Sequence, residues 1–519
     1  MRLSGLFITL LAFFSVSIVV RQSFINNTVN NYDHCDFFLL TTFENWQERG
    51  IADCHFSPIQ TNNNPGDKHV AYYTRLESAS GDNYFVSFPP FSFLFAYGVF
   101  EVSHITPSKI SIQVLNLALH FVSAFFIYII VFRKYRKEES VVIHTPSLFA
   151  FSAYLFIPIL LYEHLDIYFP ELLGQVFWIG TLYFSFRWFE KLQRRKIDVL
   201  LISLFIFFMC YTEWIGIFFV VVLLWVLRKN KFIEQREKRQ LAKGVILSSI
   251  AALALTLVQY GSIAGLPKLF KAFALRYAER SGILNSEHSD MGLNYATAES
   301  YARFFESLHS VLMPFGYLLL LGVCVAIYKL GLDRLRLFIK ANTNLVGLAL
   351  LPGIIHLLVF FNSSVVHRHC LAVLGVGIAI GIGILAHWVI SEMGTKKIFV
   401  NSGLIVVMTL SIFLCKAHFE KTYHNEYDFS PLTTAANFIH ENSQRNEVIF
   451  LSVKTNVPVP INYISFKSGR NMVYANDWLD AREKLKKLNA KRLEVNPAGI
   501  FYKFNPSAGK PVVYRFSIQ

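Results

Sequence analysis

The chain has 519 residues, 54% of them hydrophobic and 50 of them phenylalanine, with a mean hydropathy of +0.41. This excludes the composition of a water-soluble enzyme and places the chain among polytopic membrane proteins. The formal charge of +14 does not indicate nucleic-acid binding, because the cations sit in short clusters between apolar runs, where they set orientation.

Apolar runs of about 18–22 residues suit α-helices across about 30 Å of hydrocarbon, since each segment must bond its own backbone groups; a β-barrel would alternate instead. The first run, in MRLSGLFITLLAFFSVSIVVRQ, lacks a small-x-small cleavage site and is read as a retained helix over 4–21. Further helices are expected near 108–132, 144–162, 171–189, 197–212, 214–228, 243–262, 309–330, 343–361, 371–390 and 398–416, about eleven crossings in all. Basic clusters beginning at Arg133, Lys191, Arg228, Arg334 and Lys396 then share one side, with the N-terminus cytoplasmic and the C-terminus extracytoplasmic. This requires FPPFSFLFAYGVFEVSHI, which opens with Pro89-Pro90, to lie at the outer surface rather than cross.

The domains expected are a transmembrane part over 1–420, with a first outer loop at 22–107, and an extracytoplasmic part over 421–519. The second mixes polar and apolar residues as a small α/β domain does. Cys35 and Cys54 share the first outer loop and could form a disulfide in an oxidising compartment.

Asp33, His34 and Asp36 open that loop. They precede an amphipathic stretch (Phe37, Leu39, Leu40, Phe43, Trp46) expected to lie along the membrane surface. Asp36 could simply cap this helix. A second outer loop carries Glu163, His164, Asp166 and Glu171, and a third carries Glu213. Carboxylates from separate loops can divide acid and base roles, and Asp36, Glu163 and Asp166 could hold a divalent metal ion; solvated loop tips are the plain alternative. In LPKLFKAFALRYAERSGI, Lys268, Lys271, Arg276 and Arg280 recur at helical spacing and could meet a phosphate or the lipid headgroups. His367, Arg368 and His369 open the tenth helix and suit a lipid-borne phosphate, or snorkelling.

An acidic residue opening the first outer loop, Glu48-Arg49-Gly50 closing the stretch fourteen residues later, Tyr84-Phe85-Val86-Ser87-Phe88-Pro89-Pro90 before an aromatic element, and a second acidic loop after the third helix together form a pattern. It resembles the GT-C superfamily of membrane glycosyltransferases, which includes protein O-mannosyltransferases and lipid A aminoarabinose transferases. The resemblance implies a polytopic helical GT-C-like fold with a soluble domain outside. It implies a sugar donor carried on polyprenyl phosphate or diphosphate, and a glycan, lipid or protein acceptor. Asp36, with Asp33 second, would be the carboxylate beside the sugar, acting as base or as organiser of acceptor and metal; Glu163 and Asp166 stand at the place of the second acidic motif. A bacterial inner membrane is the expected location. The competing readings are a transporter or flippase of a polar lipid, disfavoured by nearly charge-free spans, and a non-catalytic scaffold of the same fold.

Overall fold

The computed structural model describes residues 3–25, 34–64, 67–70, 76–135, 144–190, 195–283, 298–392, 397–423, 429–444, 447–453, 460–492, 498–504 and 512–517. Four helices among them are long and apolar enough to cross a membrane: Lys109–Tyr135, Gln235–Ala264, His369–Glu392 and Ile398–Thr422. Two bent helix pairs raise that number to as many as six. The expected count of about eleven crossings is thus not confirmed among the described residues. The runs expected at 197–212 and 214–228 form helices of 17 and 15 residues, Lys196–Thr212 and Ile215–Lys229, interrupted at Glu213. Most of the run expected at 309–330 and the run expected at 343–361 lie on one continuous helix, Phe315–Val359, because no proline stands between them and a single glycine, Gly331, is tolerated in a helix interior. The aromatic segment after Pro89-Pro90 forms the 13-residue helix Phe91–Ser103, too short to count as a span.

The chain divides into two compact units. The first comprises 1–25, 113–255 and 275–424. At its centre the helix Thr145–Phe156 is buried on every face, as an all-round apolar sequence demands. It packs against Leu374–Glu392, whose repeated glycines permit close approach. A Cβ on Gly383 would stand 2.9 Å from Ala150 Cβ, and one on Gly375 would stand 2.7 Å from a Leu160 methyl. Pro158 ends the central helix, because a proline ring clashes with a preceding helical turn and forces Ile157 out of helical geometry. The chain restarts as Pro158–Asp166 at an angle of 59°.

Buried Arg21 holds that bend. Its Nε donates to Leu161 O at 2.8 Å, and its Nη2 donates to His120 Nδ1 at 2.7 Å. An arginine can only donate, so His120 Nδ1 accepts; His120 is then the Nε2–H tautomer, which donates to Tyr154 O at 3.2 Å.

The second unit comprises 26–112, 256–274 and 425–519. Its sheet has the order Met472–Tyr474, Val448–Val453, Ala498–Phe504, Val512–Ser517, parallel across the first two pairings and antiparallel across the last. Strand side chains alternate between faces. Ile449, Leu451, Ile500 and Tyr502 meet the helix Ser430–Asn442, whereas Val448, Phe450 and Phe501 meet Ala481 and Leu485 of the helix Trp478–Arg492. The first outer loop reaches both faces, with Phe37 in one core and Val70 in the other.

The helix His34–Arg49 therefore does not present its apolar side to lipid. Phe37, Leu39, Leu40, Phe43 and Trp46 are all buried, Trp46 donating to Ser57 O at 3.2 Å and packing its ring on Tyr97. The periodicity fits a protein surface as well as a membrane, and packing decided between them. Cys54 is a free, buried thiol, and the side chain of Cys35 lies outside the described residues.

Candidate active site

Each unit holds buried acids. In the first, the short helix after Pro158 carries Glu163, His164 and Asp166 into the interior. Asp166 Oδ1 accepts from Gln113 Nε2 at 3.3 Å, and Asn116 Nδ2 donates to Leu165 O at 2.9 Å, tying down the end of the helix. The chain then turns into Pro170–Glu190, which places Glu171 at the first turn and Gln175 one turn later. Tyr154 Oη donates to Gln175 Oε1 at 2.9 Å and leaves the amide nitrogen pointing elsewhere.

Glu213 occupies the interruption between two helices. Its Oε2 accepts from Ile215 N at 2.5 Å, so one oxygen caps a helix start, and its Oε1 lies 3.1 Å from His356 Nε2. Gly174 lets it approach the turn bearing Glu171, since a Cβ there would stand 3.1 Å from Glu213 Cβ. From the other side, His369 Nε2 comes within 3.7 Å of Glu171 Oε1, with the His369 ring edge-on to Phe169 and stacked on His367. The cation of this group is Arg280, 8% exposed, over the Phe360 ring. Burial, then the like charge of Arg276, pulls its pKa down to about 10, while Glu171, Cys370 and Glu213 act in the opposite sense. It remains charged at neutral pH.

A small, partly open pocket of about 10 Å³ lies among Glu163, His164, Phe169, Glu171, Gln175 and His369. Several atoms around it have no hydrogen-bond partner among the described residues: both ring nitrogens of His164, Gln175 Nε2 and Glu171 Oε2. Leaving such a group unsatisfied costs about 1–3 kcal/mol each. Buried groups in this state mark a place built for water, an ion or a ligand.

The group of three ligand-type side chains close enough to share a metal ion, among the described residues, is Glu171, His369 and Cys370, whose ligand atoms lie within 4.8 Å of one another. The expected set of Asp36, Glu163 and Asp166 is a different one, and Asp166 Oδ1 is bonded by Gln113.

In the second unit Asp36 is fully buried rather than turned to solvent, and Lys109 Nζ donates to its Oδ2 at 2.5 Å. Segment 84–90 is fixed by Tyr260, whose hydroxyl donates to Phe88 O at 2.5 Å. Lys268 and Lys271 of the second unit are exposed, and Arg276 pairs with Glu279 at 3.1 Å. Asp33 lies outside the described residues, as does the side chain of Arg368. The sequence reading names Glu171, Glu213, Arg280 and His369, but not Lys109, Gln175, His356 or Cys370. Cys370 directly follows His369, the one local signal that could have drawn attention to it.

No protein-family model matches the chain, and no curated protein matches it by sequence. Solved structures do match. The oligosaccharyltransferase of Archaeoglobus fulgidus, in complex with Zn and sulfate, aligns with a TM-score of 0.56 at 10% identity, over 95% of this chain and 67% of that one. ArnT of Cupriavidus metallidurans aligns in the apo state with a TM-score of 0.54 at 9% identity, over 99% and 98%. Bound to undecaprenyl phosphate, it aligns with a TM-score of 0.52 at 11% identity, over 97% of each chain. All are GT-C superfamily glycosyltransferases.

The chain has the GT-C fold. With the apolar helices described above, it is an integral membrane protein. The GT-C fold by itself does not fix a reaction, because folds host many chemistries and sites carry them.

Proposed function

We propose that the protein is an inverting glycosyltransferase that moves a sugar from a polyprenyl-phosphate donor to a glycan, lipid or protein acceptor at the outer face of a bacterial inner membrane, with its N-terminus cytoplasmic. What carries this reading is a buried, permanently charged Arg280 beside Glu171 and Glu213, in a chain that shares its fold with an ArnT whose structure holds undecaprenyl phosphate.

A prenyl tail keeps the donor in lipid while its phosphate leaves with the developing negative charge. Arg280 supplies fixed positive charge for that phosphate, and a guanidinium suits it because the fork of donors pairs with two oxygens at once. The acceptor hydroxyl has a pKa far above neutrality and needs a carboxylate aligned for attack opposite the leaving phosphate. Asp36, immobilised by Lys109, takes this role, and attack from the opposite side inverts the anomeric centre.

The test is transfer of radiolabelled sugar from a bacterial polyprenyl-phosphate-sugar extract in membranes containing the protein. Wild type is expected to transfer, to be inhibited by added undecaprenyl phosphate, and to lose transfer in Asp36→Asn at unchanged abundance. Full transfer by Asp36→Asn would remove that residue from catalysis, and indifference to undecaprenyl phosphate would remove the donor class.

A further inference from the structure

We propose that Glu171, His369 and Cys370 are the protein ligands of a resident zinc-class divalent ion, bound through a cysteine thiolate. This assignment does not depend on the sugar-transfer reading.

The geometry is close to that of a bound ion. Zinc bonds of about 2.0–2.1 Å to oxygen and nitrogen set an O···N separation of about 3.4 Å in a tetrahedron. Glu171 Oε1 and His369 Nε2 already stand 3.7 Å apart. The cysteine sulfur belongs to the same cluster, and Ser363 Oγ, 3.7 Å from it, restrains the thiol. All three residues are buried.

An independent observation points to a missing guest. Glu171 is 6% exposed, yet its Oε2 has no hydrogen-bond partner among the described residues, and Gln175 Nε2 on the next turn is in the same state. A water on an ion held by Oε1 can donate to Oε2 and accept from Gln175 Nε2, which would satisfy both.

Charge agrees with this. The cluster contains a guanidinium, so a divalent ion is tolerated only where enough negative charge surrounds it. Two carboxylates, Glu171 and Glu213, and one thiolate against a divalent ion and Arg280 leave no net charge. The ligand chemistry then selects the metal. Thiolate with imidazole and a single carboxylate suits zinc, whereas magnesium requires an oxygen octahedron.

The test uses full-length protein in detergent, stripped with a chelator, dialysed, and titrated with zinc chloride against a chromophoric indicator. Cobalt(II) serves as a spectroscopic substitute, because sulfur-to-cobalt charge transfer reports a thiolate ligand. About one zinc ion per chain is expected to outcompete the indicator. Cys370→Ser should abolish the sulfur-to-cobalt band and weaken zinc binding by more than the ~10–100-fold that loss of an outer partner costs. Cys324→Ser, at an exposed cysteine, should change neither. If Cys370→Ser does not fold, Glu171→Gln and His369→Asn must each weaken zinc binding while the band persists at higher cobalt. Failure to outcompete the indicator, a band that survives Cys370→Ser, or a band lost in Cys324→Ser, which signals adventitious binding, would overturn the assignment. Zinc binding without sugar transfer would sink the proposed function and leave this site standing.

Discussion

Two groups of buried acids, one in each compact unit, are bonded in opposite ways. In the second, Asp67 accepts from Arg470 Nε at 3.1 Å, from Asn471 N at 2.9 Å, from Asn471 Nδ2 at 2.7 Å and from Asn64 Nδ2 at 3.0 Å. Asp82 is bonded by Lys68, by Arg49 at 2.9 Å and by Ser80 at 2.9 Å. In the first unit, Glu171 keeps an oxygen without a hydrogen-bond partner among the described residues, beside a histidine and an amide in the same condition. A satisfied network fixes one conformation and gains little by binding anything; an unsatisfied one is strained until something enters. The Asp67 and Asp82 networks are therefore read as scaffolding, and the Glu171 cluster as the place proposed to take a ligand.

The largest effect that could break this contrast belongs to Arg470. It joins Asp67 to Ser443 Oγ at 2.5 Å and to Glu447 O at 2.6 Å, tying the first outer loop to the C-terminal segment. Arg470→Ala strands a buried carboxylate and should destabilise the protein by about 3–5 kcal/mol, read as a fall in thermal midpoint in detergent. A midpoint unchanged from wild type would mean that the network is not scaffolding.

Glu171→Gln should act the other way. In chelator-stripped protein, removing a poorly satisfied carboxylate should leave stability unchanged or raise it by up to about 1 kcal/mol, while zinc binding is weakened. A loss of several degrees in thermal midpoint would place Glu171 among the structural acids.

The smallest effect is on pH dependence. Burial raises the pKa of Asp82, but the hydrogen bonds and charges of Lys68 and Arg49 outweigh it, so the folded pKa lies below the ordinary aspartate value. The stability from this shift is present above the unfolded pKa, near 3.9, and is lost as pH falls through the folded pKa. Asp82→Asn should remove that acid-side limb, seen in thermal midpoints measured across the acid range; an identical pH profile in the variant would contradict it.

How much of this was legible in the sequence depends on the range of each interaction. Pro89-Pro90 and the shortness of the run after them are local facts, and the helix Phe91–Ser103 follows from them. The acids and cations of the first unit could be named because a charge beside an apolar run is conspicuous. Their partners could not. His356 meets Glu213 across 143 positions and Lys109 meets Asp36 across 73, with no local signature for either pairing. The apolar face of His34–Arg49 was legible but its destination was not, because Phe37 enters a core built by strands more than 400 residues away. The long helix Phe315–Val359 shows a further limit. A basic cluster between apolar runs reads as a loop, yet the residues there are good helix formers and the backbone continues through them.

The central claim is that the first unit's buried cluster receives a lipid-linked phosphate while the second unit's network only supports. It is tested most directly by native mass spectrometry of undecaprenyl phosphate binding to wild type, Arg280→Met and Arg470→Met, all held well below their thermal midpoints. The account expects stoichiometric binding by wild type and Arg470→Met and its loss in Arg280→Met; equal binding by all three, or loss in Arg470→Met alone, would contradict it.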